Sequence, residues 1–198
     1  MKRAGGGKQK GAQFERDICK RLSLWVTEGE RDDIFWRSAM SGGRATIKHK
    51  QGEKATAHSG DISSTHWLGS FLTEAFSLEC KTYADLGFTS SVTKRKGNII
   101  SFWDQTIRDA EVNGKLPMLI AKQLRQPIVL VIGEAGRKLL KLSKIPMLIP
   151  LGHLYPPSLE RMDLYDFEEF IKEVDASVLE VVRIKKRRRI LLCPIIKK

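Results

Sequence analysis

Glu79 and Lys81 stand two residues apart in the stretch "FSLECKTY", Phe76 to Tyr83, whose other members are largely apolar. In a β-strand, residues i and i+2 share a face at a spacing of roughly 6 to 7 Å. The carboxylate and the ammonium would therefore project side by side, with Cys80 facing the other way. Two more acids stand in contexts that need explaining: Asp61 in "HSGDI", and Glu15 inside the apolar stripe of an N-terminal helical pattern. A carboxylate buried without a partner is costly, so acids in such places call for a cation. A divalent metal meets that need for all of them. Mg²⁺ takes oxygen ligands in octahedral geometry and is usually held by one or two carboxylates, waters and substrate phosphates. Asp61 and Glu79 on adjacent strands would supply such a pair, with the Cys80 carbonyl as a third oxygen. Lys81 would then orient or deprotonate a water and stabilise charge developing on a phosphate. The chemistry that suits this set is hydrolysis of a phosphodiester.

The same residues also fit a simpler account. A Glu-x-Lys in a strand can be an ion pair worth little, Asp61 after Ser59-Gly60 can be a turn residue, and Glu15 can pair with Arg16 or Arg44. The chain contains one Glu-x-Lys triplet, and it falls in a segment with core-strand character.

Several elements must position these groups. Phe14, Ile18, Leu22 and Trp25 recur every three to four residues and predict a helix from Gly11 to about Trp25, with Cys19 and Val26 widening its stripe. Ahead of it, "MKRAGGGKQK" (residues 1–10) reads as a flexible basic arm, because Gly5 to Gly7 hold no single conformation. "IFWRSAMSGG" reads as a strand ending in a Gly-Gly turn, residues 44–58 as a polar, basic loop, and "SGDISS" and "AFSLECKTY" as short strands. "WLGSFL" has no clear period, and "TSSVTKRKGN" reads as a polar connection. "IISFWDQTIRDAEV" predicts a second helix with Ile99, Trp103, Ile107 and Ala110 on one face and Gln105 on the polar side. "PMLIAKQL" and "PIVLVIG" are near-continuous apolar runs that suit interior strands. "LYDFEEFIKEV" predicts a third helix with Leu164, Phe167, Ile171 and Val174 inward. The class is α/β, a mixed central sheet flanked by helices, and "RIKKRRRILLCPIIKK" fits either a basic edge strand or an unstructured tail.

The 198 residues suit one domain with a substantial core. The formal net charge of +12 lies wholly at the ends: residues 1–10 carry four basic groups, residues 183–198 carry eight, and neither segment has an acid. Such ends attract a polyanion through counterion release, which favours nucleic acid over an acidic small molecule. Cys19, Cys80 and Cys193 show no paired spacing, which argues against a zinc site or a disulfide framework and for a reducing, intracellular, cytoplasmic setting. No apolar run approaches the roughly 18 residues of a membrane span.

An acidic residue, a spacer and Glu-x-Lys resemble the PD-(D/E)XK nuclease superfamily. The helix start "KGAQFERDI" and the following "WRSAMSGG" resemble archaeal-type Holliday junction resolvases and their phage relatives. The resemblance covers roughly residues 10 to 83, with a weaker echo through "FWDQTIRDAEVNGKLPMLIAK". It implies a restriction-endonuclease-like fold and a Mg²⁺-dependent endonuclease, with Mn²⁺ able to substitute, acting as a homodimer on branched four-way DNA. Position by position, Glu15, Asp61, Glu79 and Lys81 match the metal and catalytic positions, with Cys80 contributing its carbonyl. Arg16, Arg37, Ser38 and Ser41 match residues expected near the DNA backbone, where Arg44, Lys10 and Gln105 would add contacts. Residues 11–134 would form the nuclease domain and residues 135–198 an extension packed on it. Residues 44–58 and much of 64–75 are insertions relative to the compact family pattern. Two other readings stand beside this one: a PD-(D/E)XK nuclease acting on flaps, ends or duplex, and a non-catalytic basic nucleic-acid-binding module.

Overall fold

A computed structural model describes residues 6–38, 60–156 and 161–177. Helix α1 (Gly6–Val26) leads into β1 (Phe35–Arg37), which pairs antiparallel with β2 (Ile62–Ser64). Helix α2 (Trp67–Ala75) runs directly into β3 (Phe76–Tyr83), and α3 (Phe88–Lys94) and α4 (Asn98–Val112) cross over to β4 (Leu116–Gln123). Then come β5 (Ile128–Gly133), α5 (Glu134–Leu139), a 3₁₀ turn (Leu142–Lys144), β6 (Gly152–Leu154), β7 (Met162–Asp166) and α6 (Phe167–Glu173). The main sheet has five strands in the order β3-β4-β5-β7-β6. Strands β3 and β4 are parallel, and the other pairings are antiparallel. The parallel pair requires the helical crossover that α3 and α4 supply. The result is the expected α/β architecture, a mixed sheet flanked by helices.

Alternation along the strands divides the core in two. Phe76, Leu78, Cys80, Ile120 and Leu130 pack with Phe14, Ile18 and Leu22 of α1 and Phe167 and Phe170 of α6. Leu119, Ala121, Val129 and Val131 pack on the other side with Ile99, Ile100 and Trp103 of α4. Among the described residues, no helix is long and apolar enough to cross a membrane.

Several expectations need correcting. Helix α1 begins at Gly6 rather than Gly11, so residues 6–10 are its first turns and not a flexible arm. Once residues 14–26 are helical, added N-terminal residues need no new nucleation. "WLGSFL" is helical, capped by His66, whose Nδ1 accepts from the Leu68 N–H at 3.3 Å, with Phe71 and Leu72 buried. "TSSVTKRKGN" is not a plain connection, since its first half belongs to α3. Leu164, Tyr165 and Asp166 belong to β7, and the helix begins only at Phe167. Asp166 makes that break, accepting from the Glu168 and Glu169 N–H groups at 2.9 and 3.0 Å as an N-cap. Because β7 pairs with β5 and β6 with β7, residues 152–154 and 162–166 extend the central sheet. Trp25 Nε1 donates to the Val174 carbonyl at 2.7 Å and ties α1 to the end of α6. The 44–58 loop and the 183–198 tail lie outside the described residues.

Candidate active site

Strand β3 is an edge strand of the five-stranded sheet, and its exposure changes along its length. Phe76 to Cys80 are buried, Lys81 is half-buried and Tyr83 is exposed. Since Leu78 and Cys80 enter the α1 side, Glu79, Lys81 and Tyr83 share the face toward α4.

Asp61 reaches the site through one point of attachment between β2 and β3. Gly60 bridges to Leu78, and the Asp61 N–H donates to the Leu78 carbonyl at 2.7 Å. The Asp61 carbonyl accepts from the Ser38 N–H at 2.8 Å, and its Oδ2 accepts from the Cys80 N–H at 2.9 Å. Gly60 has φ +89°, and a Cβ there would stand 2.5 Å from the Leu78 oxygen. Only glycine lets the backbone come so close and places the next carboxylate beside β3.

Glu15 follows Phe14 on α1, whose buried face holds the helix against β1 and β3. Arg37, at the end of β1, donates from Nε to Glu15 Oε2. Lys81 Nζ is 3.3 Å from Glu79 Oε2. The two ion pairs and Asp61 lie within electrostatic reach of one another: Glu15 feels Asp61 and Lys81, and Glu79 feels Asp61 and Lys81.

The carboxyl of Glu79, on a residue only 7% exposed, is pushed up to about 8. Burial is the main cause and the charge of Asp61 the next, while Lys81 pulls the other way. Burial likewise raises Glu15, with its bond to Arg37 opposing. The Cys19 thiol is pushed up to about 12 and Cys80 well above its ordinary value, chiefly by burial. Neither is a thiolate nucleophile at neutral pH.

An all-oxygen pair of adjacent buried carboxyls, one of which resists ionisation until more positive charge arrives, fits a hard divalent cation. Asp61 and Glu79 meet that description. Glu15 is turned to Arg37, and among the described residues no three His, Cys, Asp or Glu side chains converge closely enough to hold an ion.

Helix α4 forms the opposite wall. Lys81 Nζ lies 5.9 Å from the centroid of the Phe102 ring, and the charge of Asp109 adds to the rise in Glu79. Gln105 Nε2 donates to Asp109 Oδ2 at 3.4 Å.

A family model described as "Phage putative PDDEXK endonuclease" matches residues 6–151. The chain belongs to this family. Searches of curated proteins and of solved structures found no match. Family membership makes the chain a nuclease of the PD-(D/E)XK superfamily.

Within this PDDEXK endonuclease, the structure brings Glu15, Arg37, Asp61, Glu79 and Lys81 together, with Gln105 in the nearby wall. Lys10 and Arg16 are exposed on α1, and Arg16 bonds to Gln13 at 2.9 Å. Ser38 is buried and its hydroxyl is shared with Ser63 at 2.5 Å, so it fastens β1 to β2. Ser41 and Arg44 lie outside the described residues. Reasoning from sequence missed Phe102 and Asp109, which the spacing 102, 105, 109 on one helix face could have flagged. It also missed Gly60, whose Gly-Asp order was visible, and the pairing of Arg37 with Glu15.

Proposed function

We propose that this endonuclease is Mg²⁺-dependent and structure-selective, resolving four-way DNA junctions by paired symmetric nicks as a homodimer inside the cell. The observation that carries the proposal is the grouping of Asp61, Glu79 and Lys81 at one open end of an edge strand. Two buried carboxyls beside an ammonium are costly unless they have work to do with a cation and an anion.

Asp61 and Glu79 would hold the ion, with the Cys80 carbonyl and Glu15 as further oxygens if Arg37 turns away. When bound, Mg²⁺ supplies the positive charge that polarises a phosphate oxygen and acidifies a water. Lys81, on the same face as Glu79, would orient that water and stabilise charge on the phosphate. Arg37 would exchange Glu15 for a phosphate oxygen, a natural partner for a guanidinium. Basic groups gripping phosphates would make affinity fall steeply with salt, with little sequence preference. Two nicks placed symmetrically across a junction need two active sites at fixed separation, which a two-fold dimer provides.

The test is nicking of a labelled four-way junction, a flap and a linear duplex, all in Mg²⁺. Paired symmetric nicks confined to the junction are expected. Preferential cutting of the linear duplex would leave the family's nuclease activity standing and remove the resolvase assignment.

A further inference from the structure

Tyr83 ends the face of β3 that begins at Glu79. Positions 79, 81 and 83 alternate onto that face at a spacing of roughly 6 to 7 Å. Tyr83 is 52% exposed, whereas Glu79 is buried and Lys81 half-buried. The ring is nonetheless held in place. It meets Phe102 of α4 with centroids 5.6 Å apart and planes at 70°, and the same Phe102 ring lies 5.9 Å from Lys81 Nζ. One aromatic side chain therefore braces both the ammonium and the outer ring. Trp36 is also exposed, but it alternates to the opposite side of β1 from Arg37 and so faces away from this group.

We propose that Tyr83 is a stacking platform for an exposed nucleobase about one nucleotide from the phosphate handled at Lys81, and so sets the preference for branched DNA. The inference rests on the nuclease reading of Glu79 and Lys81 and deepens it. A base inside a continuous duplex has both faces covered by its neighbours, so an aromatic ring has nothing to gain from it. A base at a branch point, or one splayed out of its pair, offers an open face. Stacking on that face requires no sequence information, because every base has one. Selection for structure without selection for sequence is the expected result.

The test places 2-aminopurine at the branch point of a four-way junction and of a flap, and in the middle of a linear duplex, with binding read by fluorescence in EDTA so that no cleavage is needed. Wild type should quench the branch-point probes and leave the duplex probe unchanged. Tyr83→Ala should bind with the quench lost, while Tyr83→Phe keeps it. With Mg²⁺, Tyr83→Ala should raise KM on the four-way junction about ten-fold with kcat retained and leave any duplex cutting unchanged. Equal quenching by wild type and Tyr83→Ala, or equal loss of activity on branched and linear DNA, would overturn the assignment. Wild-type quenching without any cleavage in Mg²⁺ would instead contradict the catalytic reading while supporting the platform.

Discussion

Replacing Glu79 with glutamine should make the metal-free protein more stable than wild type at pH 8 and remove much of its pH dependence. The carboxyl titrates near 8 in the fold against an ordinary value of 4.5, chiefly because of burial and then because of Asp61. The fold therefore favours the protonated acid. That contribution is fully present below pH 4.5 and is lost as pH rises through about 8, where the buried group must ionise. At 1.36 kcal/mol per pKa unit the ceiling is about 5 kcal/mol. Glutamine keeps the shape of the protonated acid, and the opposing pull of Lys81 on the carboxylate is already contained in the shifted value. The net advantage of Glu79→Gln at pH 8 is then about 4 kcal/mol, shrinking to nothing near pH 4.5. Urea unfolding of both proteins in EDTA at pH 4.5, 6 and 8 reads this difference directly, and titrating groups distant from Glu79 cancel in the comparison. A difference that stays flat across the window would mean that Glu79 ionises like a surface acid, and the argument for a cation-seeking carboxyl would be lost.

Mg²⁺ should oppose the same penalty: at 100 times its dissociation constant it should stabilise wild type by about 2.7 kcal/mol at pH 8, seen as a rise in Tm that EDTA reverses and Asp61→Asn abolishes. Gly60→Ala should destabilise by about 2 to 4 kcal/mol in urea unfolding, because φ +89° and the Leu78 backbone leave a Cβ no room and Asp61 must move off β3. Arg37→Ala should cost about 1 kcal/mol in the same assay, since it strands the Glu15 carboxylate, whose side chain is 12% exposed. That variant should also raise the Glu15 pKa further, observable by NMR titration.

Much of this site was legible because its chemistry is local in sequence. Glu79-x-Lys81 announced a shared strand face, and Phe14, Ile18 and Leu22 announced the helix face beside which Glu15 lies. What could not be read were partners brought together by packing: Arg37 and Glu15 meet across two elements, and Asp109 acts on Glu79 from α4. Polar composition hid α3, where Ser91 is buried with its hydroxyl on the Gly87 carbonyl at 2.8 Å, so the segment is helical despite its hydroxyl-rich sequence. Helical spacing through Leu164, Phe167 and Ile171 misplaced the β7–α6 break because Leu164 is buried equally well in a strand. The capping order Asp166-Phe167-Glu168-Glu169 was the signal that could have placed it.

The most direct test of the central claim is cleavage of labelled DNA by wild type and by Asp61→Asn, each with Mg²⁺ and with EDTA. The account predicts nicking by wild type in Mg²⁺ alone, with no nicking by the variant although both bind DNA equally. Cleavage by Asp61→Asn at the wild-type rate, or cleavage that persists in EDTA, would contradict it.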